Sequence, residues 1–339
     1  MIMMTALLPN IIFLSTLATV TTALAATPYK SYLITGANKG QGLALCERIL
    51  TEHDNTHVFL CSRDLQRGED AKQTLLDDIG CDDDRVDVVQ LDVTDDKSVE
   101  SALAEVKSKL GDEKQLYGVV SNAGVLWGYP LPELMDVCAT GVKRVLDAFV
   151  PLVDNDDGRV IVVTSGLGPL MHQYSSKERQ AALMDVNSSW DDTLSPMIDE
   201  CIDAYTKSKS IEERIAAFED ISFPGGPFAE SAPDFHMYGL SKMFGDAYMI
   251  RVAKQYPKLR VSSVDPGLVY TDLILKMPKY EGLKKEETTA QSPKEGVEGT
   301  MRLLFDDDVG KGEGNGKLYA LDKERQLVFS DIDKMPQKQ

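Results

Sequence analysis

The chain has 339 residues, which is enough for one large α/β domain or two modest ones. Its hydrophobic fraction of 43% and its charged fraction of 27% are those of an ordinary globular protein and exclude a wholly disordered chain. A formal net charge of −18 argues against non-specific nucleic-acid binding, because such binding needs a basic surface.

The cysteines and the acidic runs predict no metal site. Five cysteines are scattered without a C-x-x-C pair, which is typical of neither a zinc site nor a disulfide scaffold. The acidic runs at 82–84, 154–157 and 306–308 are each too contiguous to converge on one ion, and they lack the EF-hand spacing. We expect solvated acidic loops and no bound metal.

The N-terminus is an uncharged segment that ends at Tyr29. It contains an apolar run at 11–14, and residues 23–26 resemble a small-residue cleavage site. The pattern predicts a signal peptide or signal anchor over residues 1–27, and therefore a protein of the secretory pathway or of an organelle. The segment lacks Lys and Arg and is interrupted by Pro9, so a membrane anchor and a cytoplasmic protein remain the alternatives. Membrane contact is expected only through this segment.

From residue 31 onward, apolar strand-like runs alternate with helical ones. The strand-like runs are 31–35, 58–61, 86–91, 116–121, 159–164, 260–264 and 317–321. The helical runs between the early strands are 41–50, 65–79, 97–110 and 134–150. Such alternation is typical of a doubly wound parallel sheet of Rossmann type, covered by helices on both faces. We predict an α/β fold with about seven strands in a single domain over 28–330, followed by a polar tail at 331–339.

One long insertion, residues 166–237, separates the fifth strand from the sixth and contains no clear strand. Its middle, 193–218, has a helical pattern, and a turn cluster follows at 223–227. A long excursion in a compact domain is usually a functional lid or a disordered insert. A folded lid is favoured by six large apolar residues, Met171, Tyr174, Trp190, Phe223, Phe228 and Met237.

A glycine-rich turn joins the first strand to the first helix. Its spacing is G-x-x-x-G-x-G, formed by Gly36, Asn38, Lys39, Gly40 and Gly42. Glycines at this place allow a tight turn and a close approach of the backbone to a phosphate, which the helix N-terminus then binds. Elsewhere such a cluster would be a plain turn, but after a first strand it predicts a dinucleotide cofactor.

The end of the second strand indicates which cofactor. An acidic residue there usually bonds the ribose of NAD, whereas an arginine accepts the 2′-phosphate of NADP. Arg63 has the forked donors for a phosphate, and Lys39 adds a second cation, so we predict NADP(H). The alternatives are that Asp64 acts as an NAD-type acid, or that Arg63 only pairs with Asp64 or Asp92.

Tyr238 and Lys242 stand four residues apart in a helical pattern. Positions i and i+4 lie on one helix face, about 5–6 Å apart between Cβ atoms. An ammonium so close lowers the pKa of a phenol, which then passes a proton to a carbonyl oxygen more readily. Taken alone, the pattern is common and is usually a solvated helix face.

In order and spacing, these motifs resemble the short-chain dehydrogenase/reductase family over about residues 30–325. The resemblance rests on the glycine turn, on Tyr238 with Lys242, and on further motifs, namely Leu91-Asp92-Val93, Asn122-Ala123-Gly124, Ser165, Pro266-Gly267 and Thr271. The chain is similar to the carbonyl reductase branch in further details, which are Asn38-Lys39, Ser62-Arg63-Asp64, Arg67-Gly68, the long insertion and Ser292-Pro293-Lys294-Glu295-Gly296.

The resemblance implies where the cofactor lies. Asp92 and Val93 would border the adenine, and residues 122–124 would end the fourth strand beside the cofactor. The nicotinamide end would be held by Pro266, Gly267 and Thr271. Because the insertion covers the tyrosine helix in this branch, the resemblance also implies a monomer.

The resemblance implies the catalytic roles as well. Ser165 would hydrogen-bond a substrate carbonyl, Tyr238 would protonate it, and Lys242 would bond the nicotinamide ribose and keep the tyrosine pKa low. The expected reaction is NADPH-dependent reduction of a ketone or aldehyde on a small, fairly apolar molecule. The alternatives are NADP-dependent alcohol or steroid oxidation, and a cofactor-binding sensor or scaffold with impaired catalysis.

The roles of two residues, Cys138 and His236, are not fixed by the resemblance. Cys138 stands where the family has a helix asparagine thought to organise a proton relay, so the relay is expected to be rerouted or slower. We interpret Cys138 as a core residue rather than a nucleophile. His236 lies two residues before Tyr238 and would either touch substrate or make ordinary solvent and backbone contacts.

Overall fold

The computed structural model describes residues 29–111 and 115–336. The predicted targeting segment, 1–27, lies outside the described residues. Within the described ranges, no helix is both long and apolar enough to cross a membrane.

A single eight-stranded sheet forms the centre of the molecule, in the spatial order β3-β2-β1-β4-β5-β6-β7-β8. The strands are β1 (Lys30–Ile34), β2 (Thr56–Ser62), β3 (Val86–Gln90), β4 (Leu116–Ser121), β5 (Arg159–Val163), β6 (Arg260–Asp265), β7 (Leu318–Leu321) and β8 (Leu327–Ser330). The first seven are parallel, so the doubly wound Rossmann-type fold is confirmed.

The prediction of about seven strands missed β8. This strand turns back from β7 and pairs with it antiparallel, with Leu321 opposite Leu327. It lies at the sheet edge, where Phe329 is 48% exposed and Leu327 is only half-buried. A strand in such a position carries no continuous buried apolar run, which was the signal that revealed the other seven.

Helices cover both faces of the sheet. Those before the insertion are α1 (Gly40–Glu52), α2 (Leu65–Ile79), α3 (Asp96–Leu110), α4 (Leu131–Met135) and α5 (Gly141–Phe149). Those of the insertion are α6 (Leu167–Tyr174), α7 (Lys177–Met184), α8 (Ser195–Lys207), α9 (Ile211–Asp220) and α10 (Phe228–Ser231). The remaining ones are α11 (Pro233–Gln255), α12 (Asp272–Leu275), α13 (Pro293–Gly296) and α14 (Glu298–Phe305).

Alternation along the strands divides the interior into two cores. In β1, Leu33 points into one core, while Tyr32 and Ile34 point into the other, as the period of two requires. Residues of α1, α2 and α14 fill the core of Tyr32, and residues of α3, α5 and α11 fill the core of Leu33. The site therefore lies on a sheet that is fixed from both sides.

The helix predicted at 134–150 is interrupted. Between α4 and α5 the chain makes a wider, π-type turn over Asp136–Thr140. Cys138 lies in this turn, and the turn packs on α11, where a Cβ on Gly245 would lie 2.6 Å from the Cys138 carbonyl oxygen. Single π turns inside helices are frequent at functional sites.

The insertion is folded, as predicted. The helical run expected at 193–218 is two helices, because α9 starts anew at Ser210, whose hydroxyl accepts a hydrogen bond from the Glu213 N–H at 3.2 Å. Large apolar side chains of the insertion are buried in the core beside α11, namely Met171, Leu183, Trp190, Leu194, Phe218 and Phe223.

Helix α11 is enclosed by the rest of the chain. Every residue from His236 to Ala253 is buried. The sheet covers one side of the helix and the insertion covers another, with α6 packed along it. A helix covered on all sides needs no amphipathic pattern.

The first residues of the predicted polar tail pack against the domain. Ile332 is buried in the core, and Lys317 forms an ion pair with Asp331. A Cβ placed on Gly166 would lie 2.6 Å from the Met335 methyl carbon, Cε, so the segment reaches the residue next to Ser165.

Candidate active site

A cleft of about 480 Å³ opens where the strands β1 to β4 end. Parallel strands of this fold bind ligands at their carboxyl ends. Most of the predicted cofactor residues line the wall, namely Gly36, Asn38, Lys39, Gly40, Arg63, Asp92, Val93, Asn122, Ala123, Gly124 and Thr271. Gly42, Ser165, Tyr238, Lys242, Pro266 and Gly267 are not on the wall of this cleft.

The glycine turn is compact enough to bring backbone against a phosphate. Gly36 and Gly40 have φ angles of +63° and +58°, which favour glycine. A Cβ on Gly42 would lie 2.6 Å from the Gly36 carbonyl oxygen and 2.7 Å from Asn122 Nδ2, so only glycine fits there. No side chain caps α1 at Lys39, which leaves the first-turn N–H groups for a phosphate. These residues fit a dinucleotide.

Hydrogen bonds tie the glycine turn to the end of β4. The Thr35 hydroxyl accepts from the N–H groups of Asn122 and Ala123, both at 3.0 Å. Asn122 Nδ2 donates to the Thr35 carbonyl oxygen at 2.9 Å. The Asn-Ala-Gly motif therefore holds the turn in place in addition to lining the cleft.

The end of β2 presents two guanidinium groups, of Arg63 and Arg67, on the cleft wall. Asp64 caps α2, accepting from the Arg67 N–H at 3.0 Å, and its carboxylate lies 3.7 Å from Arg67 Nε. Asp92 accepts from the Thr94 N–H and hydroxyl. The carboxylates considered as partners of Arg63 thus have other bonds. Sequence reasoning did not assign Arg67 to the site, although it stands one helical turn after Arg63.

Lys39, the second predicted cation, is paired across the cleft. Its Nζ lies 2.6 Å from Asp272 Oδ2, and both side chains are exposed. A Cβ on Gly40 would lie 3.3 Å from Thr271 Cγ2. The segment around α12 therefore meets the glycine turn and closes one side of the cleft.

Tyr238 and Lys242 lie one turn apart on α11, and both are buried, with exposures of 8% and 4%. Lys242 Nζ lies 5.5 Å from the centre of the Tyr238 ring and donates to the Val163 carbonyl oxygen at 2.8 Å. A Cβ on Gly124 would lie 3.6 Å from this Nζ. Lys242 thus joins the ends of β4 and β5 to the tyrosine.

Burial dominates the ionisation of this pair. It raises the pKa of Tyr238 to about 12, while the Lys242 ammonium acts in the opposite direction. Burial also disfavours the ammonium, but attraction to Tyr238 holds the pKa of Lys242 above its ordinary value. The sequence-based expectation of a lowered tyrosine pKa is wrong in this structure, because desolvation outweighs the nearby charge. At neutral pH the phenol holds its proton.

Ser165 follows directly after Thr164 at the end of β5. It is half-buried, and its hydroxyl accepts from the Leu167 N–H at 3.3 Å, at the start of α6. Since Val163, two residues earlier, accepts the Lys242 bond, the serine lies on the strand end that α11 holds. At the end of β6, Gly267 has a φ of +74° and donates its N–H to Asp265.

Cys138 lies beside this pair. Its side chain is buried, with an exposure of 1%, and its Sγ lies 3.7 Å from the Val125 carbonyl oxygen. A Cβ on Gly124 would lie 3.9 Å from the same Sγ. The position expected for the relay asparagine therefore adjoins the cofactor cleft, and the thiol there is a buried, weak hydrogen-bonding group.

His236 faces the insertion. Its Nε2 lies 3.2 Å from the Phe223 carbonyl oxygen, and its ring packs edge-on against Phe218. Burial lowers the pKa of His236 to about 4, so the imidazole is neutral at physiological pH. Of the two alternatives, the backbone contact is the one found, and His236 lies in a buried helix.

Sequence reasoning missed an aromatic wall that continues the cleft beyond Gly124. Trp127 and Tyr129 line it, together with Lys276, whose Nζ lies 5.1 Å from the centre of the Tyr129 ring. Trp127 packs edge-on against Phe235, with ring centres 6.2 Å apart, one turn before Tyr238 on α11. Two aromatic residues soon after the Asn-Ala-Gly motif were the available signal.

The chain is similar to known proteins in sequence and in fold. A family model described as short chain dehydrogenase matches residues 30–184. "Short-chain dehydrogenase/reductase 1" of Saponaria officinalis is 28% identical over 72% of this chain and 83% of its own length. A (+)-neomenthol dehydrogenase of Arabidopsis thaliana is 27% identical over 77% of this chain and 88% of its own.

The structure of salutaridine reductase from Papaver somniferum shares the fold, with a TM-score of 0.66 at 22% identity. The match covers 85% of this chain and 99% of that one. These similarities support a member of the short-chain dehydrogenase/reductase family, that is, an NAD(P)-dependent oxidoreductase.

Proposed function

We propose that this protein is a carbonyl reductase-like enzyme that reduces a ketone or aldehyde on a small, fairly apolar molecule with NADPH. One observation carries the proposal. Lys242 contacts the end of β5 at Val163 and approaches Gly124 on the cleft wall, while its neighbour one turn earlier is Tyr238. A proton donor, a cation and a dinucleotide cleft therefore meet at one place.

The chain's own residues supply orientation and a proton. When bound, NADPH supplies the hydride. Tyr238 holds its proton at neutral pH, because burial raises its pKa to about 12, and it gives this proton to the developing alkoxide. Lys242 stabilises the phenolate that this transfer leaves behind, since the two groups attract each other. Ser165 orients the carbonyl oxygen toward the phenol.

Preference for NADP(H) over NAD(H) is supported by the end of β2. Arg63 and Arg67 both line the cleft there, and the acid that follows Arg63, Asp64, is engaged as the cap of α2. Guanidinium groups bind phosphate in a bidentate manner, so they favour a cofactor with a 2′-phosphate. Gly36, Gly40 and Gly42 would hold the pyrophosphate against the start of α1.

The aromatic wall supports an apolar substrate. Trp127 and Tyr129 offer large, flat surfaces close to the helix that carries Tyr238. Among the relatives, one is named for neomenthol and another for salutaridine. We infer that a ring-containing ketone is a better substrate than a short open-chain aldehyde.

The test is a panel of aldehydes, cyclic ketones and open-chain ketones, followed by the loss of NADPH absorbance. We expect turnover of apolar cyclic ketones, and a higher kcat/KM with NADPH than with NADH. A panel with no turnover, although NADPH binds, would instead support the sensor or scaffold alternative that Cys138 raises. Faster formation of NADPH from NADP and alcohols at neutral pH would support the oxidative alternative.

We further propose that the protein is a monomer. Helix α11, through which many family members pair, is buried from His236 to Ala253 by this chain alone. A sedimentation mass near that of one chain is expected, and a mass of a dimer would contradict the proposal. The targeting role of residues 1–27 stays a sequence-based proposal, which N-terminal sequencing of the mature protein would test.

A further inference from the structure

Asp246 is a buried carboxyl group that the reaction described above does not use. It lies on α11, one turn after Lys242 and two turns after Tyr238, and only 1% of it is exposed. Its Oδ1 accepts the Ser263 hydroxyl at 2.6 Å, and its Oδ2 accepts the Thr164 hydroxyl at 2.8 Å. Buried carboxyl groups are rare, so this one needs an explanation.

The two hydrogen bonds join three elements at the catalytic end of the sheet. Thr164 follows β5 and directly precedes Ser165, Ser263 lies within β6, and Asp246 belongs to α11. Lys242 holds the preceding residue of β5, Val163, at 2.8 Å. Consecutive turns of the catalytic helix therefore hold consecutive residues of the strand end that carries the serine.

The surroundings of Asp246 contain charges of both signs. Lys242 attracts its carboxylate from one turn earlier on α11, and Asp265 repels it from the end of β6. From α6, Gly168 approaches so closely that a Cβ there would lie 2.8 Å from Asp246 Oδ2. A larger residue at 168 would push the carboxyl group of Asp246 away, so α6 leaves space for this carboxyl group.

We propose that Asp246 is a positioning residue, whose negative charge fixes the Thr164–Ser165 strand end against the Tyr238–Lys242 turn for carbonyl reduction. This inference rests on the proposed function. An ionised carboxylate accepts both hydroxyl protons at once. A protonated carboxyl must donate one hydrogen itself, so one of the two hydroxyl groups has to reverse its role, and the attraction for Lys242 disappears.

The ionisation of Asp246 takes place near neutral pH. Burial raises the pKa of Asp246 to about 7, although the hydrogen bonds from Ser263 and Thr164 and the charge of Lys242 act in the opposite direction. Activity is therefore expected to decline as the pH falls below about 7. Stability moves the other way. In the unfolded chain the carboxyl group ionises near pH 4. Between about pH 4 and about pH 7 the folded protein therefore holds a proton on Asp246 that the unfolded chain has lost, so the free energy of unfolding falls as the pH rises.

The experiment compares the wild type with Asp246→Asn, using NADPH and a ketone that the wild type reduces, between pH 5.5 and about 8.5. We expect kcat of the variant to be about ten- to a hundredfold lower than that of the wild type, as for a small misplacement of reacting groups. We also expect kcat of the variant not to change with pH across this pH range. The wild-type rate should decline below about pH 7, and the dissociation constant of NADPH should be unchanged. A variant that keeps the wild-type rate, or keeps its pH dependence at a lower rate, overturns the proposal.

A second readout does not need turnover. The Tm of the wild type relative to Asp246→Asn should fall from pH 5 to about 8, in the opposite sense to the activity. A merely structural role would lower Tm and kcat together at every pH, and that result also overturns the proposal. If no ketone is reduced by the wild type, the proposed function fails, while this Tm difference still shows whether Asp246 titrates.

Ser263→Ala serves as the second variant. It removes one hydrogen bond that favours the carboxylate, so the midpoint of the pH–rate profile should move upward while Tyr238 and Lys242 stay intact. An unchanged midpoint would contradict the proposed link. Asp203→Asn, an exposed carboxylate that pairs with Lys207 on α8, is the control for the same chemical change and should leave kcat and its pH dependence as in the wild type.

Discussion

The cofactor side of the site and its catalytic side are held by different kinds of contact. On the cofactor side, backbone geometry decides, since Gly36 and Gly40 have positive φ angles and Gly42 leaves no space for a Cβ. On the catalytic side, long-range side-chain bonds decide, since Lys242 and Asp246 hold the end of β5 from another element. The glycine turn is a short continuous segment, whereas the bonds of Lys242 and Asp246 join residues about eighty positions apart.

The difference matters for what each side tolerates. In the glycine turn, a side chain in place of glycine would clash with the backbone or strain a positive φ angle, and a change of side-chain rotamer cannot relieve this. A buried polar network instead depends on ionisation and on packing around it. The insertion supplies that packing, since it encloses the catalytic helix.

Tyr238→Phe removes the proton donor and should lower kcat by about 10²–10⁴-fold, the usual cost of losing a general acid. NADPH affinity should remain close to that of the wild type, because the cofactor side is held independently. Single-turnover kinetics and a binding titration check both. Tyr248→Phe, which also removes a buried phenol from α11 but one bonded to Asp147, is the matched control and should keep its activity. Equal activity of Tyr238→Phe and wild type would refute the assigned role.

Phe223→Ala tests the packing of the insertion on α11. Phe223 is 1% exposed and packs edge-on against Phe244 of α11, with ring centres 5.9 Å apart. Truncating a buried phenylalanine costs about 3–5 kcal/mol of unfolding free energy. Denaturant unfolding should show this loss, whereas Ile211→Ala, an exposed apolar residue on α9, should change stability far less. If Phe223→Ala lost no more unfolding free energy than Ile211→Ala, the packing of the insertion on α11 would not contribute to stability.

How far the sequence predicts each side follows from the same contrast. The glycine turn and the parallel strands were predictable, because each is a short pattern with a local physical cause. The preference for NADP(H) was likewise predicted from a local feature, the position of Arg63 at the end of the second strand. The place of Asn122-Ala123-Gly124 was predicted from the family resemblance. Helix bounds such as Leu65–Ile79 were recovered because Asp64 and Gly80 cap that helix in ordinary ways.

The catalytic side was less accessible to sequence reasoning. The spacing of Tyr238 and Lys242 was visible, but the effect of burial on their pKa values depends on residues far away in sequence. The network of Asp246 with Thr164 and Ser263 joins three separate elements, and no local pattern indicates it. β8 was missed because an exposed edge strand lacks the apolar run of a central one.

Arg63→Ala with Arg67→Ala should reduce the preference for NADPH over NADH on the cofactor side. A hydrogen bond to a charged group contributes about 1.5–3 kcal/mol, so the ratio of the two kcat/KM values should fall by at least tenfold. The kcat with saturating cofactor should change little, since the catalytic side is untouched. Lys72→Ala, on the same helix but paired with Asp83, is the control. An unchanged cofactor ratio would exclude these arginines as phosphate ligands.

Asp272→Asn removes the ion pair with Lys39 that connects the α12 segment to the glycine turn. Both side chains are about 60% exposed, and exposed pairs contribute only about 0.2–1 kcal/mol. A change of no more than about fivefold in the NADPH dissociation constant is therefore expected, and it should vanish at high salt because the charges are screened. The direction is informative. Weaker binding would mean that the pair closes the cleft over the cofactor, whereas tighter binding would mean that Asp272 withholds Lys39 from the 2′-phosphate and that the lysine acts as the third cation of the site.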